Sequence, residues 1–207
     1  MTPDHLEKAL FVAGSFRDAE AKFGLTRGVW RTCVGYAGGS YPTPSYNDIG
    51  DHAEAVMVEY APQTISYGQL LEIFLCCCVP ADATPRRQAA VFFRTEQERR
   101  LARAAVERRS LCNCGYSCSQ VRILPFKTFF RAENPCQKYD LHTAAWLYDE
   151  LVELYGAEEA LLCSTLATRL NAYLRHPSPS TLRSLPESTD LYGLSPSDIQ
   201  ALLELAC

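Results

Sequence analysis

The chain has 207 residues, of which 47% are hydrophobic and 21% charged, so it is long enough to bury one sizeable core. Its formal net charge of −4 argues against nucleic acid as a partner. No apolar run reaches the length of a membrane span, and residues 1–8 lack the pattern of a signal or transit peptide. We therefore expect a cytoplasmic protein with no membrane association.

The first informative stretch joins a short apolar run to a helix. Residues 10–13 are apolar and are stopped by Gly14, which predicts a strand buried on both faces. From Phe16 onward apolar residues recur at helical spacing, so Ser15 stands at the predicted N-cap. Ser15 is then either a cap, in a capping-box-like spacing with Asp18, or the position of a nucleophile at the positive end of the helix dipole.

The next segments predict two strands separated by an irregular loop. Residues 29–37 alternate and end at a double glycine, whereas residues 40–46 contain two prolines and two tyrosines and cannot be regular. Residues 52–54 then open a strand over 55–60. Glu54 at its edge is either a solvated cap or a buried acid with a raised pKa and a proton to give.

The remaining pattern alternates helices with strands. It predicts a helix over 66–76, a strand over 89–93, a helix over 95–109 and a strand over 120–124, followed by helices near 142–155 and 158–174. This alternation favours an α+β two-layer sandwich with a mixed sheet of the split βαβ type, plus C-terminal helices. We divide the chain into a domain of residues 1–141, packed helices at 142–176, a linker at 177–194 and a terminal helix at 195–207.

The chain contains ten cysteines. Without a secretory signal, thiols that are reduced, redox-active or metal-binding are favoured over a disulfide framework. Two clusters stand out, at 76–78 and 112–118, but the second lacks the C-x2-C pair that is typical of zinc sites. We expect no metal and no other cofactor.

Several short motifs occur in a fixed order along the chain. They are Gly14-Ser15-Phe16, residues 34–39 (VGYAGG), 44–46 (PSY), 50–54 (GDHAE), 65–67 (ISY), 90–93 (AVFF) and 130–133 (FRAE). Together they resemble the peptide methionine sulfoxide reductase A family. The resemblance covers about residues 8–141, and residues 164–173 are similar to the C-terminal helix of a longer branch of that family.

The resemblance implies roles for individual residues. Ser15 falls on the position of the nucleophilic cysteine, Glu54 on the acid that protonates the sulfoxide oxygen, and Tyr46 on a tyrosine that assists it. Phe16 and Arg17 fall on the two aromatic positions that hold the methyl group of the substrate.

The resemblance also implies a reaction and its partners. The enzyme would be a peptide-methionine (S)-S-oxide reductase, which reduces methionine S-sulfoxide, in proteins or free, to methionine. The sulfenic acid that forms on the nucleophile is resolved by a second cysteine, and thioredoxin reduces the resulting disulfide. Cys207 and Cys163 are our candidates for that second thiol, and we expect a monomer.

This sequence departs from the family pattern at several of these positions. Serine replaces the nucleophilic cysteine, Arg17 replaces a tryptophan, Arg87 falls on a second family tyrosine, and Cys136 falls on a family histidine. Asp82 is aligned with a family aspartate. A neutral hydroxyl is a poor nucleophile toward sulfur and has no counterpart to the sulfenic acid, so we predict no reduction through residue 15.

Three functions remain open at this point. The first is a reductase in which Ser15 is an introduced or erroneous substitution, or in which another cysteine, Cys33 or Cys136, supplies the thiol. Alternatively, the chain is a pseudoenzyme that binds methionine sulfoxide or apolar peptide side chains without turnover. The third possibility is a cysteine-rich scaffold or metal-binding protein.

Overall fold

A computed structural model of the chain describes residues 5–77, 89–111, 121–178, 200–201 and 204–205. Within these ranges the strands are β1 (Glu7–Val12), β2 (Val29–Ala37), β3 (Ala53–Tyr60), β4 (Ala90–Phe93), β5 (Arg122–Pro125) and β6 (Phe129–Arg131). The helices are α1 (Phe16–Gly24), α2 (Tyr67–Cys77), α3 (Glu96–Leu111), α4 (Tyr139–Thr143), α5 (Ala145–Tyr155), α6 (Glu158–Leu162) and α7 (Thr165–Arg175). A short 3-10 helix spans Asn134–Cys136.

The strands form one mixed sheet in the order β5-β4-β1-β3-β2-β6. Strand β3 is antiparallel to both β1 and β2, so β1 and β2 run in the same direction with β3 inserted between them. Helix α1 connects these two strands, which makes the unit a split βαβ. Strands β4 and β5 form the one parallel pair of the described sheet. The predicted α+β fold with a split βαβ sheet is confirmed.

Strand β1 is the centre of the core because it is buried on both faces, as its apolar run predicts. Phe11 points toward the helices and stacks on Phe23 of α1 and Phe74 of α2, with ring centroids 5.1 and 5.2 Å away. Leu10 and Val12 point to the opposite face and pack in a smaller cluster with residues of β4. The strand begins at Glu7, earlier than predicted, because residues 7–11 pair with β3.

The C-terminal helices pack around a second core and dock on α1 through α7. Gly24 permits the close approach, since a Cβ there would lie 2.8 Å from both the Ala172 Cβ and the Thr168 carbonyl oxygen. Arg169 reinforces the contact by donating hydrogen bonds to the carbonyl oxygens of Gly24, Thr26 and Val29.

Each of the two helices predicted in this region is divided into two. The first is interrupted at Ala144, whose backbone is not helical, so α4 and α5 are separate. The second restarts at Ser164, which has extended backbone angles and accepts a hydrogen bond from the Ala167 amide at 2.9 Å. A serine with this capping geometry begins a new helix rather than continuing the old one.

Strand β6 was not predicted, and it extends the sheet beside β2. Gly35 makes this possible, because a Cβ there would lie 2.2 Å from the Phe130 carbonyl oxygen. Beyond β6, the Gln137 side chain continues the pairing: its Oε1 accepts from the Val34 amide at 3.0 Å, and its Nε2 donates to the Val34 and Ala132 carbonyl oxygens at 2.8 and 2.9 Å.

Some predictions concern residues outside the described ranges. These are Asp82, Arg87, the cluster at 112–118, most of the linker at 177–194, most of the terminal helix and Cys207. Among the helices that are described, none combines the length and the apolar character needed to cross a membrane.

Candidate active site

Residue 15 lies in the short connection between the end of β1 and the start of α1. Gly14 has a φ of 89°, a backbone conformation that favours glycine, and the helix begins at Phe16. Ser15 stands at the N-cap, but its side chain makes no capping hydrogen bond. Asp18, its proposed capping-box partner, instead pairs with Arg175 of α7. The capping explanation for Ser15 is therefore wrong, and its hydroxyl is left at the positive end of the helix.

Glu54 is a buried acid beside residue 15. It lies on β3 opposite Tyr36 of β2, and only 4% of its surface is exposed. Its Oε2 accepts a hydrogen bond from the Phe16 amide at 3.1 Å. The alternative of a solvated cap is wrong for Glu54, because the side chain is held against the first amide of α1.

Two tyrosine rings flank Phe16. The ring centroid of Phe16 lies 6.3 Å from that of Tyr46 and 6.4 Å from that of Tyr36. Tyr46 comes from the irregular loop and is 38% exposed, so it forms the outer side of the site. The structure thus brings Phe16, Tyr46 and Glu54 together around Ser15, and their chemical roles stay predictions.

The loop that carries Tyr46 is held by residues at the start of β3. Asp51 accepts hydrogen bonds from the Ser40 and Tyr41 amides and from the Ser40 hydroxyl, at 2.8–2.9 Å. These hydrogen bonds lower the pKa of the Asp51 carboxyl to about 2. His52 accepts from the Gly39 amide at 3.2 Å, and its other ring nitrogen lies 2.8 Å from the Tyr41 carbonyl oxygen.

Glu133 is a second carboxylate at the site, to which the sequence analysis assigned no role. Its Oε2 accepts from the Tyr36 hydroxyl at 2.8 Å and its Oε1 from the Tyr46 amide at 3.0 Å. Burial raises the pKa of Glu133, but the hydrogen bonds it accepts outweigh burial and leave the pKa below its ordinary value. Its presence in the FRAE motif was the signal that could have identified it.

Arg17 lies across the outer aromatic residues. Its guanidinium carbon is 3.4 Å from the ring centroid of Tyr139 and 5.8 Å from that of Tyr46. This is stacking geometry, which suits a planar guanidinium. The family resemblance implies a tryptophan at this position. The chain instead has a positively charged guanidinium there, held against the rings of Tyr139 and Tyr46.

Of the candidate thiols within the described ranges, Cys136 is the one that adjoins the site. It is 7% exposed and hydrogen-bonds the Tyr36 hydroxyl, and the charges of Glu133, Arg17 and Glu54 act on it. Burial, followed by the Glu133 charge, raises the pKa of the Cys136 thiol above its ordinary value. At neutral pH Cys136 is therefore largely protonated.

Cys33 and Cys163 lie away from these residues. Burial raises the pKa of Cys33 to about 11, and the charges that act on it are those of Lys138, Arg131 and Glu20. Cys163 is exposed, so the alternative that it is a small buried hydrophobe is wrong. Its sulfur lies 3.2 Å from Oε1 of Glu159. The charges that act on the pKa of its thiol are those of Glu159, Arg131 and Lys138, and Glu54, Glu133 and Arg17 are not among them.

The described ranges contain no group of three or more histidine, cysteine, aspartate or glutamate side chains placed to hold a metal ion. Most of the two cysteine clusters lies outside those ranges. What the site does contain is an apolar ring, two tyrosines, two carboxylates and a hydroxyl at a helix N-terminus. Such a site can hold a small side chain with an apolar methyl group and a polar oxygen, and can deliver a proton to that oxygen.

Comparison with known proteins gives a consistent result. Residues 7–161 match the family model described as peptide methionine sulfoxide reductase. Peptide methionine sulfoxide reductase A5 of Arabidopsis thaliana is 38% identical over 192 residues, covering 88% of this chain and 74% of the relative. The Drosophila melanogaster peptide methionine sulfoxide reductase is 33% identical over 199 residues, covering 93% and 77%.

A solved structure shows the same architecture. Methionine sulfoxide reductase A of Corynebacterium diphtheriae superposes with a TM-score of 0.62 at 25% sequence identity. The superposition covers 70% of this chain and 77% of the other.

Proposed function

Because the chain belongs to the peptide methionine sulfoxide reductase family, we propose that its ligand is methionine S-sulfoxide, in proteins or as the free amino acid. The observation that carries the proposal is the position of Glu54, a buried carboxyl held 3.1 Å from the Phe16 amide, one residue after the nucleophile position. An acid in that place is positioned to protonate an oxygen that is bound beside residue 15.

The other pocket residues suit the two ends of a methyl sulfoxide. Phe16 offers an apolar ring for the methyl group, and Tyr46 lies next to it with a centroid separation of 6.3 Å. The sulfoxide oxygen would face Glu54 and the tyrosine hydroxyls. A chiral sulfoxide has one arrangement of methyl, lone pair and oxygen that satisfies both sides, so the pocket would favour one epimer.

The reduction itself needs a thiol. A thiolate attacks the sulfoxide sulfur and forms a sulfur–sulfur bond while Glu54 gives its proton to the sulfoxide oxygen. The resulting hydroxyl then passes to the attacking sulfur as the sulfur–sulfur bond breaks, and the products are methionine and a sulfenic acid. A second thiol then displaces water from the sulfenic acid to form a disulfide, which a thioredoxin-type dithiol reduces. Ser15 cannot replace the thiol in these reaction steps. Its hydroxyl stays un-ionised, and its oxygen cannot undergo the two-electron oxidation that turns a thiol into a sulfenic acid.

We therefore propose that the chain binds methionine S-sulfoxide without reducing it through residue 15. A second candidate function is slow reduction through Cys136, with a thioredoxin-type dithiol as reductant. The observation that favours it is the contact of Cys136 with Tyr36 and its proximity to Glu133 and Glu54. The raised pKa of that thiol opposes it, because the reactive thiolate is scarce at neutral pH.

The test is binding by calorimetry, using one peptide in three forms that carry methionine S-sulfoxide, methionine R-sulfoxide or methionine. We expect the S-sulfoxide form to bind most tightly and Tyr46→Phe to weaken that preference. Equal binding of the three forms by the wild-type chain would overturn the proposal.

Turnover of the same S-sulfoxide peptide with dithiothreitol separates the two candidates. Absence of turnover in the wild-type chain supports binding alone. Turnover that is lost in Cys136→Ser and kept in Cys33→Ser establishes the second candidate. Turnover that survives both substitutions would contradict our chemical argument about residue 15.

A further inference from the structure

The Arg17 guanidinium is fixed at the outer side of the pocket. Its carbon lies 3.4 Å from the centroid of the Tyr139 ring and 5.8 Å from that of the Tyr46 ring. Stacking of this kind uses the flat face of the guanidinium and leaves its N–H edge available for hydrogen bonds.

The N–H groups of Arg17 have no acceptor in the part of the chain that the structure describes. Within the described ranges Arg17 makes the two ring contacts and no hydrogen bond or ion pair, and its charge acts at longer range on Asp140 and Cys136. The nearby carboxylates are held by other groups. Glu133 accepts from Tyr36 and Tyr46, and Oδ1 of Asp140 pairs with Arg175 at 3.3 Å.

The helix dipole adds to the positive charge of Arg17, which is in the first turn of α1. Two carboxylates lie at the same end of the helix, and both are held by other groups: Glu54 accepts from the Phe16 amide, and Asp18 pairs with Arg175. In the family pattern this position is an aromatic residue and the adjoining thiolate is negative. Here both changes, tryptophan to arginine and cysteine to serine, shift the local charge in the positive direction.

We infer that Arg17 forms a subsite for a carboxylate carried by the substrate. A carboxylate matches the fork of N–H groups on a guanidinium and can accept two parallel hydrogen bonds from it. The carboxylate could come from an acidic residue next to methionine sulfoxide in a polypeptide or from the α-carboxylate of the free amino acid. This inference rests on the proposed function, since the sulfoxide must occupy the neighbouring pocket.

The experiment measures binding, so it does not depend on turnover. Calorimetry compares two peptides that differ only in the residue beside methionine S-sulfoxide, glutamate in one and glutamine in the other. We expect the glutamate peptide to bind about three- to tenfold more tightly at low salt, the range of a partly exposed charged hydrogen bond. The preference should shrink as salt screens the charge. N-acetyl methionine sulfoxide, compared with its methylamide, tests the α-carboxylate source.

The decisive variant is Arg17→Gln, which removes the charge. We expect it to bind the two peptides equally. Arg100→Gln is the matched control, because it removes one positive charge from an exposed position on α3. That control should keep the preference, and thermal melting of both variants should show that they are folded.

Each result has a definite meaning. A preference for glutamate that disappears in Arg17→Gln alone supports the subsite. A wild-type chain that binds both peptides equally, or a preference that survives Arg17→Gln, overturns the subsite and leaves the proposed function intact. If neither sulfoxide peptide binds better than its methionine counterpart, the proposed function fails and the subsite fails with it.

Discussion

The Nζ atom of Lys138 lies 2.6 Å from Oε1 of Glu20, and neither side chain is accessible to solvent. Lys138 also donates to the carbonyl and hydroxyl oxygens of Thr32, at 2.6 and 3.0 Å. Thr32 in turn donates to Glu20 at 3.0 Å. This buried ion pair connects α1, β2 and the segment after β6, the same elements that surround the pocket.

We predict that Lys138→Met lowers the free energy of unfolding by about 3–5 kcal/mol, because it leaves the Glu20 charge buried without a partner. Urea unfolding followed by circular dichroism measures the change. Lys8→Met is the matched control, since Lys8 forms an exposed ion pair with Glu59 at 2.8 Å. Its loss should cost less than about 1 kcal/mol. Equal effects of the two substitutions would show that the buried pair has no special importance.

The Ser15→Cys variant should gain turnover of methionine S-sulfoxide. A helix dipole contributes about 0.3–2 kcal/mol, and one pKa unit corresponds to about 1.4 kcal/mol, so the dipole lowers a pKa by one or two units at most. That shift is enough to ionise part of a thiol at neutral pH, and far too small to ionise a serine hydroxyl. The measurement is methionine formed in the presence of dithiothreitol. Ser164→Cys is the control, because it makes the same change at the N-cap of α7. No turnover in Ser15→Cys would mean that the pocket has lost more than its nucleophile.

Glu54→Gln in the Ser15→Cys background should lower kcat by about 10²–10⁴, the usual contribution of a general acid. The glutamine oxygen can still accept from the Phe16 amide, so the geometry of α1 should be kept. Glu59→Gln removes a carboxylate from the other end of the same strand and should leave kcat nearly unchanged. Similar losses in both variants would assign Glu54 a structural role.

The loop at 38–52 should lose order in strong acid. The pKa of Asp51 is about 2 in the folded protein, below its ordinary value, because the Ser40 and Tyr41 groups favour its charged form. The contribution of Asp51 to loop stability is therefore complete above its ordinary pKa and is lost as pH falls through about 2. Hydrogen exchange at the Ser40 and Tyr41 amides measures it. Asp51→Asn should speed that exchange at neutral pH, and unchanged exchange would refute the assignment.

The thiols should differ in reactivity. We predict that iodoacetamide at pH 8 modifies Cys163 before Cys33, because Cys163 is exposed and the pKa of Cys33 is about 11. Peptide mass mapping over time gives the order. Faster modification of Cys33 would mean that β2 opens readily at that position.

The fold could be predicted from patterns that depend on neighbouring residues. The apolar run ending at Gly14, the alternation of residues 29–37 and the helical spacing after Phe16 identified the split βαβ unit. Strand β6 could not be predicted in this way, because Phe129–Arg131 has only three residues and pairs with β2 where Gly35 permits the approach. The helix break at residue 144 likewise has no local signal, because the residue is an alanine and no glycine or proline adjoins it.

The site was predicted through motifs rather than through physical patterns alone. From its local sequence alone, Glu54 was expected to be a solvated cap, because the contact with the Phe16 amide that buries it spans 38 residues of chain. The role of Glu133 depends on the Tyr36 hydroxyl, which lies 97 residues away in sequence. Contacts across such distances depend on strand register, which local periodicity does not specify.

Gln137 presents a side-chain amide to both backbone groups of Val34, in the way that a peptide group of a neighbouring strand would. The Val34 carbonyl also accepts from the Ala132 amide at 3.0 Å, so the group that depends on Gln137 alone is the buried Val34 amide. Without Gln137 that amide would be a buried donor with no acceptor, and one side chain therefore substitutes for the strand residue that β6 is too short to supply.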